Sequence, residues 1–278
     1  MKAVRFTVGG GGEPRLGRLD GDHVVDAGLG GPRGFNASDE AWETVASASG
    51  AEHGLDDVRL VHPVVPQKIL AVGLNYQTHV EETSLERPDV PFCFAIFPSS
   101  LTGPYDEIVV PAEETRPDWE GEVAVLLGRR AYRVDRAAAR AAIGGIAVLN
   151  DVSGRRAQLE TPMRQFTLGK SFDTFTPLGP CVVHPDDLDL GAIAVSTRID
   201  GELVQSSDTS HLIFGFEELI EYFSKGVTLE PGDVIATGTP GGVGDERKPP
   251  RYLREGEVVE VAVEGVGSLR NPVRFERL

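Results

Sequence analysis

The chain is short of several things, and each shortage removes a class of function. Only two cysteines occur in 278 residues. Cys93 and Cys181 both sit in apolar stretches, Pro-Phe-Cys-Phe and Pro-Cys-Val-Val, and read as small buried thiols rather than metal ligands or redox groups. Long apolar runs are missing, and nothing approaches the roughly 20 residues of a membrane helix. The first residues, Met1 to Val8, have a strand pattern and reach a glycine run before a signal-length apolar segment develops. A reducing cytoplasm is the expected compartment, with no membrane partner. Basic residues are scarce too: 27 Lys and Arg stand against 43 Asp and Glu, a formal charge of -16. Nucleic acid is therefore an unsuitable partner, since phosphate recognition needs clustered cations. A cation is a more natural ligand, although an acidic, solvated surface explains the same charge.

What is present is an ordinary globular composition, 40% hydrophobic and 25% charged, with Gly 33 and Pro 19 supplying the turns of a strand-rich fold. Residues 1–65 read as a small leading domain. It has strands at Ala3 to Val8 and near His23 to Val25, a helix from Asp39, and a hairpin tip at Gly9 to Gly12, which lacks the Lys-Ser or Lys-Thr of a phosphate loop. Residues 66–278 read as the larger domain. Short apolar segments separated by Pro and Gly predict strands at Ile69 to Val72, Phe92 to Ile96, Ile108 to Val110, Glu122 to Leu127 and Ile143 to Leu149. Helices are expected at Val134 to Ala142 and Phe216 to Phe223. The fold class is α+β, mostly β, a barrel or roll with helices at its margin.

Two segments carry chemistry. In Asp118-Trp-Glu-Gly-Glu122, strand alternation places Glu120 and Glu122 on one face with Ala124 and Leu126. Two buried carboxylates so close repel each other unless a cation stands between them. Asp151, ending the apolar run Ile143 to Leu149, supplies a third oxygen ligand at a strand terminus. An all-carboxylate set favours Mg²⁺, Mn²⁺ or Ca²⁺ over zinc. The same spacing also fits a strand that begins in solvent. In Gly73-Leu-Asn-Tyr-Gln-Thr-His79-Val-Glu-Glu82, His79 and Glu82 are neighbours at i and i+3 of a helical turn. That pair fits a general base with its orienting carboxylate, although on the residues alone an exposed surface pair is the more ordinary reading.

These segments, together with Asn150-Asp-Val-Ser153, Gln165-Phe, Gly169-Lys-Ser-Phe-Asp-Thr-Phe-Thr-Pro-Leu-Gly-Pro180 and Ala236-Thr-Gly-Thr-Pro-Gly-Gly-Val-Gly244, resemble the fumarylacetoacetate hydrolase family over about residues 68 to 275, in the family's order. The resemblance implies a mixed β-roll catalytic domain, usually homodimeric, with Mg²⁺ or Mn²⁺ on Glu120, Glu122 and Asp151. It implies a small oxo-acid or 1,3-dicarbonyl substrate whose C–C bond breaks to leave an enolate held on the metal. His79, oriented by Glu82, would activate water; Lys170 would polarise the substrate; Arg155, Gln158 and Thr239 match substrate-side positions. For Arg155 a structural ion pair is the competing reading. Lys170 stands in Gly-Lys-Ser, but Arg164 occupies the place where a phosphate loop requires glycine.

Two positions depart from the resemblance. Many members carry a lysine in the segment matching Phe94 to Ser100, where this chain has Ile96, and an acid commonly follows the arginine matching Arg155, where this chain has Arg156. A substrate with a different charge layout or an apolar arm is the expected consequence. The sequence reading is thus a metal-dependent C–C hydrolase of an acylpyruvate-type oxo-acid. A decarboxylase, isomerase or hydratase on the same site is the alternative, and a non-catalytic metal-dependent binding protein is a further one.

Overall fold

The computed structural model describes residues 1–9, 11–83 and 86–277. Its centre is the strand Gly121–Leu127, buried at every position. It pairs antiparallel with Ile143–Asn150, also buried throughout, in a register that sets Gly121 opposite Asn150 and Ala124 opposite Ala147. The apolar runs within them, Val123 to Leu127 and Ile143 to Leu149, belong in strands covered on both faces. On one side of the pair lie Val234–Ala236, then Ile69–Gly73 running parallel to it, then the outer strand Phe92–Ile96. On the other side Ile143–Asn150 pairs with Thr176–Val183, which pairs with Lys2–Val8 through Lys2 and Val183. Strands Arg15–Asp20, His23–Leu29 and Glu52–Gly54 complete a row of ten, and Val58–Val61 on Lys2–Val8 and Leu101–Thr102 on Thr176–Val183 make the sheet twelve-stranded, running from the leading residues into the rest of the chain.

Each face of the central pair has its own core. Val123, Val125, Ile146 and Val148 pack with Val195, Val259, Val261 and Leu269 from a second, five-stranded sheet. Ala124, Leu126, Ala147 and Leu149 pack on the opposite face with Phe35, Trp42 and Ile69. Helix Asp39–Ala46 closes that face: Ser38 caps it by accepting from the Ala41 N–H, and the Trp42 indole donates to the Gly144 carbonyl at 2.7 Å. The margin helices Arg136–Ala141 and Phe216–Ser224 are joined by Arg140–Glu217 at 2.9 Å and Arg136–Glu221 at 3.0 Å. The result is the mostly β, mixed fold expected from the sequence.

One expectation for the cysteines fails. Cys181 is buried, but Cys93 is exposed, because its strand is the last in the row and has no neighbour beyond it. The glycine run joins the antiparallel strands Lys2–Val8 and Arg15–Asp20, with Gly10 outside the described residues. Among the described residues no helix is long and apolar enough to cross a membrane.

Topology also decides where chemistry can occur. Gly121–Leu127 begins where its antiparallel neighbours Ile143–Asn150 and Val234–Ala236 end, and Ile69–Gly73, parallel to the last of these, ends beside them. Four strand termini, and the loops that leave them, therefore meet at one edge of the sheet.

Candidate metal centre

Glu120, Glu122 and Asp151 converge at that edge, each buried, with one carboxylate oxygen from each within 4.8 Å of the others. Glu120 precedes the first residue of its strand and Asp151 follows the last of the neighbouring one. The Asp151 N–H donates to the Glu120 carbonyl at 2.9 Å, which locks the two termini together. Glu122 accepts from the Gly238 N–H at 2.8 Å. Only glycine serves at 238: φ is 103°, and an added Cβ would lie 2.8 Å from the Asn75 Cβ.

Two buried cations answer part of this charge. Lys170 donates to Glu120 at 2.6 Å and to Asp151 at 2.8 Å. Arg155 approaches Glu120 at 2.7 Å, holds Asp118 through Nε at 2.9 Å and through a terminal nitrogen at 2.8 Å, and donates to Gln158 at 3.0 Å. Four acids (Asp118, Glu120, Glu122, Asp151) thus face two bases, so that with all four ionised two negative charges would lack a counter-ion. Burial would raise Glu120, but Lys170 and Arg155 outweigh it and bring the pKa down to about 2. Glu122 touches neither cation, and burial, then Asp151 and Glu120, push it well above the carboxylate range. Asp151 is raised to about 6, by burial against the pull of Lys170. Its Oδ1 is buried without a hydrogen-bond partner. An orphaned carboxylate oxygen, a two-charge deficit and three converging oxygens fit a hard divalent cation. The buried triad is consistent with such a site.

The cleft that Glu120 lines encloses about 350 Å³. Of the residues singled out in the sequence, His79, Glu120, Arg155, Gln158, Lys170 and Thr239 line it. His79 sits on helix Gln77–Thr83, its Nδ1 3.5 Å from a Glu82 oxygen, an electrostatic contact longer than a good hydrogen bond. Both Glu82 oxygens accept from the Gly242 N–H, at 3.1 and 2.9 Å, so the pair is tied to the loop that also carries Gly238 and Thr239. The Thr239 hydroxyl donates to the Gly121 carbonyl at 3.0 Å and accepts from Gln205 at 2.8 Å.

Three contributors carry no assignment from the sequence, although two of them, Asp118 and Asn75, stand inside its motifs. Asp118 is fully buried and, besides Arg155, accepts from the Gly244 and Asp245 N–H groups at 2.7 and 3.0 Å. It couples the Arg155 guanidinium to the Thr239 loop, and cutting a buried pair of this kind costs about 3–5 kcal/mol. Asn75 donates to the Phe214 and Thr237 carbonyls at 3.1 and 2.7 Å, holding the His79 segment to the same loop. Gln205 gave no signal at all, since it belongs to the second sheet and reaches the site only through folding.

The two departures lie elsewhere than the sequence suggested. Ile96 is buried in the core with Ile69 and Ala71, and Phe92 and Phe94, on the same face of that strand, line the cleft instead. Arg156 points outward, 3.3 Å from Glu160 and donating to the Glu113 carbonyl at 2.9 Å. Neither side chain is a cleft residue.

The family described as Fumarylacetoacetate (FAA) hydrolase C-terminal matches residues 68–274. A Bos taurus protein named oxaloacetate tautomerase FAHD2B, mitochondrial, is 43% identical over 219 residues, 78% of this chain and 70% of that protein. The crystal structure of a 5-carboxymethyl-2-hydroxymuconate delta-isomerase from Mycobacterium smegmatis superposes with a TM-score of 0.83 at 33% identity, covering all of both chains. A fumarylacetoacetate hydrolase from Exiguobacterium antarcticum gives 0.85 at 33% identity, covering 99% of this chain and 100% of the other.

Proposed function

Since the chain belongs to the fumarylacetoacetate hydrolase family and is one of its enzymes, we propose that it moves a proton within a small 2-oxo acid, interconverting keto and enol forms, with Mg²⁺ or Mn²⁺ on Glu120, Glu122 and Asp151. The observation that carries this reading is one cleft lined by His79, Lys170 and Glu120, with Glu122 and Asp151 clustered around Glu120 and Glu82 beside His79.

A bound divalent cation supplies Lewis-acid polarisation of a 2-oxo carboxylate and counter-charge for enolate character. The chain's own groups do the rest. His79 takes a proton from the carbon beside the carbonyl and returns it, while Glu82, fixed by Gly242, steadies the charged imidazole. Lys170 adds positive charge where the carbonyl oxygen gains negative charge. Phe92, Phe94 and Phe166 line the cleft and limit the water that could compete for reactive forms.

Isomerisation is preferred to C–C hydrolysis because relatives at 43% and 33% identity carry the names of a tautomerase and an isomerase. Hydrolysis remains the second reading, supported by the Exiguobacterium enzyme's name and by the ability of a His–Glu pair to activate water. One assay separates them. With saturating Mg²⁺, conversion of enol to keto oxaloacetate should be accelerated at least ~100-fold, the scale of one positioned acid–base group, and cleavage of an acylpyruvate should be slower by at least tenfold. The reverse ranking would reinstate the hydrolase.

A further inference from the structure

Three cations line the cleft, and two are already engaged. Arg155 and Lys170 are buried and direct their donors at Asp118, Glu120, Asp151 and Gln158. Arg164 is different. It is exposed, lines the same cleft, and among the described residues its guanidinium has neither a hydrogen bond nor an ion pair.

Its backbone is unusual as well. Arg164 has φ 51°, held by its own N–H to the Thr161 carbonyl at 3.0 Å and by the Gln165 N–H to the Gln158 carbonyl at 2.8 Å. That region suits Gly or Asn, and an arginine there costs of the order of 1 kcal/mol. Strain of this kind collects where a side chain has a task, and here it accompanies an unpaired cation in the cleft.

The wall between Arg164 and the floor has an ordered chemistry. Phe166, two residues on, packs against Phe92 and Phe94 with ring centroids 5.3 and 5.4 Å apart. Phe94 in turn lies over the Lys170 ammonium at 5.5 Å. From mouth to floor the wall therefore reads cation, aromatic rings, cation, and the helix Phe166–Lys170 spans it with a rise of only ~6 Å. A short molecule with an anion at each end and an apolar middle matches that order. Asp245 and Glu246 also line the cleft, so without Arg164 an anionic far end would meet net negative charge.

We propose that Arg164 determines specificity at the far end of the substrate, pairing with a second carboxylate so that the site selects 2-oxo dicarboxylates over 2-oxo monocarboxylates. The assignment rests on the 2-oxo-acid reading of the site. It is tested by calorimetric binding of oxaloacetate and of 2-oxobutyrate, which keeps the four-carbon chain and the 2-oxo carboxylate but lacks the second one, to Mg²⁺-loaded protein. Wild type should favour oxaloacetate by about tenfold or more, as one charge-assisted pair allows. Arg164→Gln should bring the ratio below ~3 while leaving 2-oxobutyrate within ~2-fold, and Arg164→Lys should keep part of the preference. Equal affinities in wild type, a preference that survives in Arg164→Gln, or an equal weakening of both ligands would each overturn the Arg164 assignment alone. Binding of neither ligand would remove the 2-oxo-acid reading and the assignment with it. Among the described residues the Arg164 side chain makes no hydrogen bond or ion pair, and an unchanged Mg²⁺-dependent thermal shift would confirm that the variants are folded.

Discussion

Asp151→Asn is expected to erase the rise in melting temperature that Mg²⁺ gives the wild-type protein, and to lower turnover by at least ~1000-fold, about 4 kcal/mol of barrier. The replacement keeps shape and removes one charge. Four acids against two bases become three against two, and the remaining single charge no longer matches a divalent cation. The metal-free protein should change little. Lys170 keeps Glu120 at 2.6 Å, and Glu122 is relieved of the neighbour that, after burial, does most to raise it. Calorimetric Mg²⁺ titration and melting curves with and without the metal check this directly. A variant that still gains stability from Mg²⁺ would place the ion elsewhere.

His79→Gln should show the opposite pattern: metal binding unchanged, proton transfer reduced by about 10²–10⁴-fold. His79 touches none of the three acids, so the Mg²⁺-dependent thermal shift should match wild type. Glu82→Gln should lose less, about tenfold, because an amide oxygen can still accept from Gly242 while the charge that steadies the imidazole is gone. Loss of CO₂ from oxaloacetate needs no base, so decarboxylation by His79→Gln at the wild-type rate would be consistent with this account. Enol–keto conversion at the wild-type rate would not, and would require another base in the cleft.

Much of this site is legible in the sequence because its parts follow local rules. Period-two alternation puts Glu120 and Glu122 on one face, a strand end exposes Asp151, and one helical turn brings His79 to Glu82. The strands Phe92–Ile96 and Ile108–Val110 begin and end where the apolar runs and flanking residues place them. What stays hidden depends on distant partners or on a strand's place in the sheet. Arg155 reads either as substrate-facing or as half of a structural ion pair, and its partner Asp118, 37 residues earlier, is visible only after folding. Arg156 follows Arg155 on a five-residue helix, and successive helical residues diverge, so only one of the two can enter the cleft. Ile96 shares a face with Phe92 and Phe94, yet sheet position decides that the two phenylalanines line the cleft and the isoleucine joins the core. Cys93 has an apolar setting in the chain and an outer strand in space. Arg164 served in the sequence only to exclude a phosphate loop, and its unpaired state is visible only after folding.

A divalent metal on the carboxylate triad would make this protein an enolising enzyme, and proton exchange reads that activity at the reacting carbon. Oxaloacetate in deuterated buffer should incorporate deuterium at the carbon beside its carbonyl at least ~100-fold faster with Mg²⁺-loaded protein than with the same protein stripped by a chelator. Restoring Mg²⁺ or Mn²⁺ should restore the rate. Equal exchange with stripped and loaded protein, corrected for Mg²⁺ alone, would rule out metal-dependent enolisation at the triad.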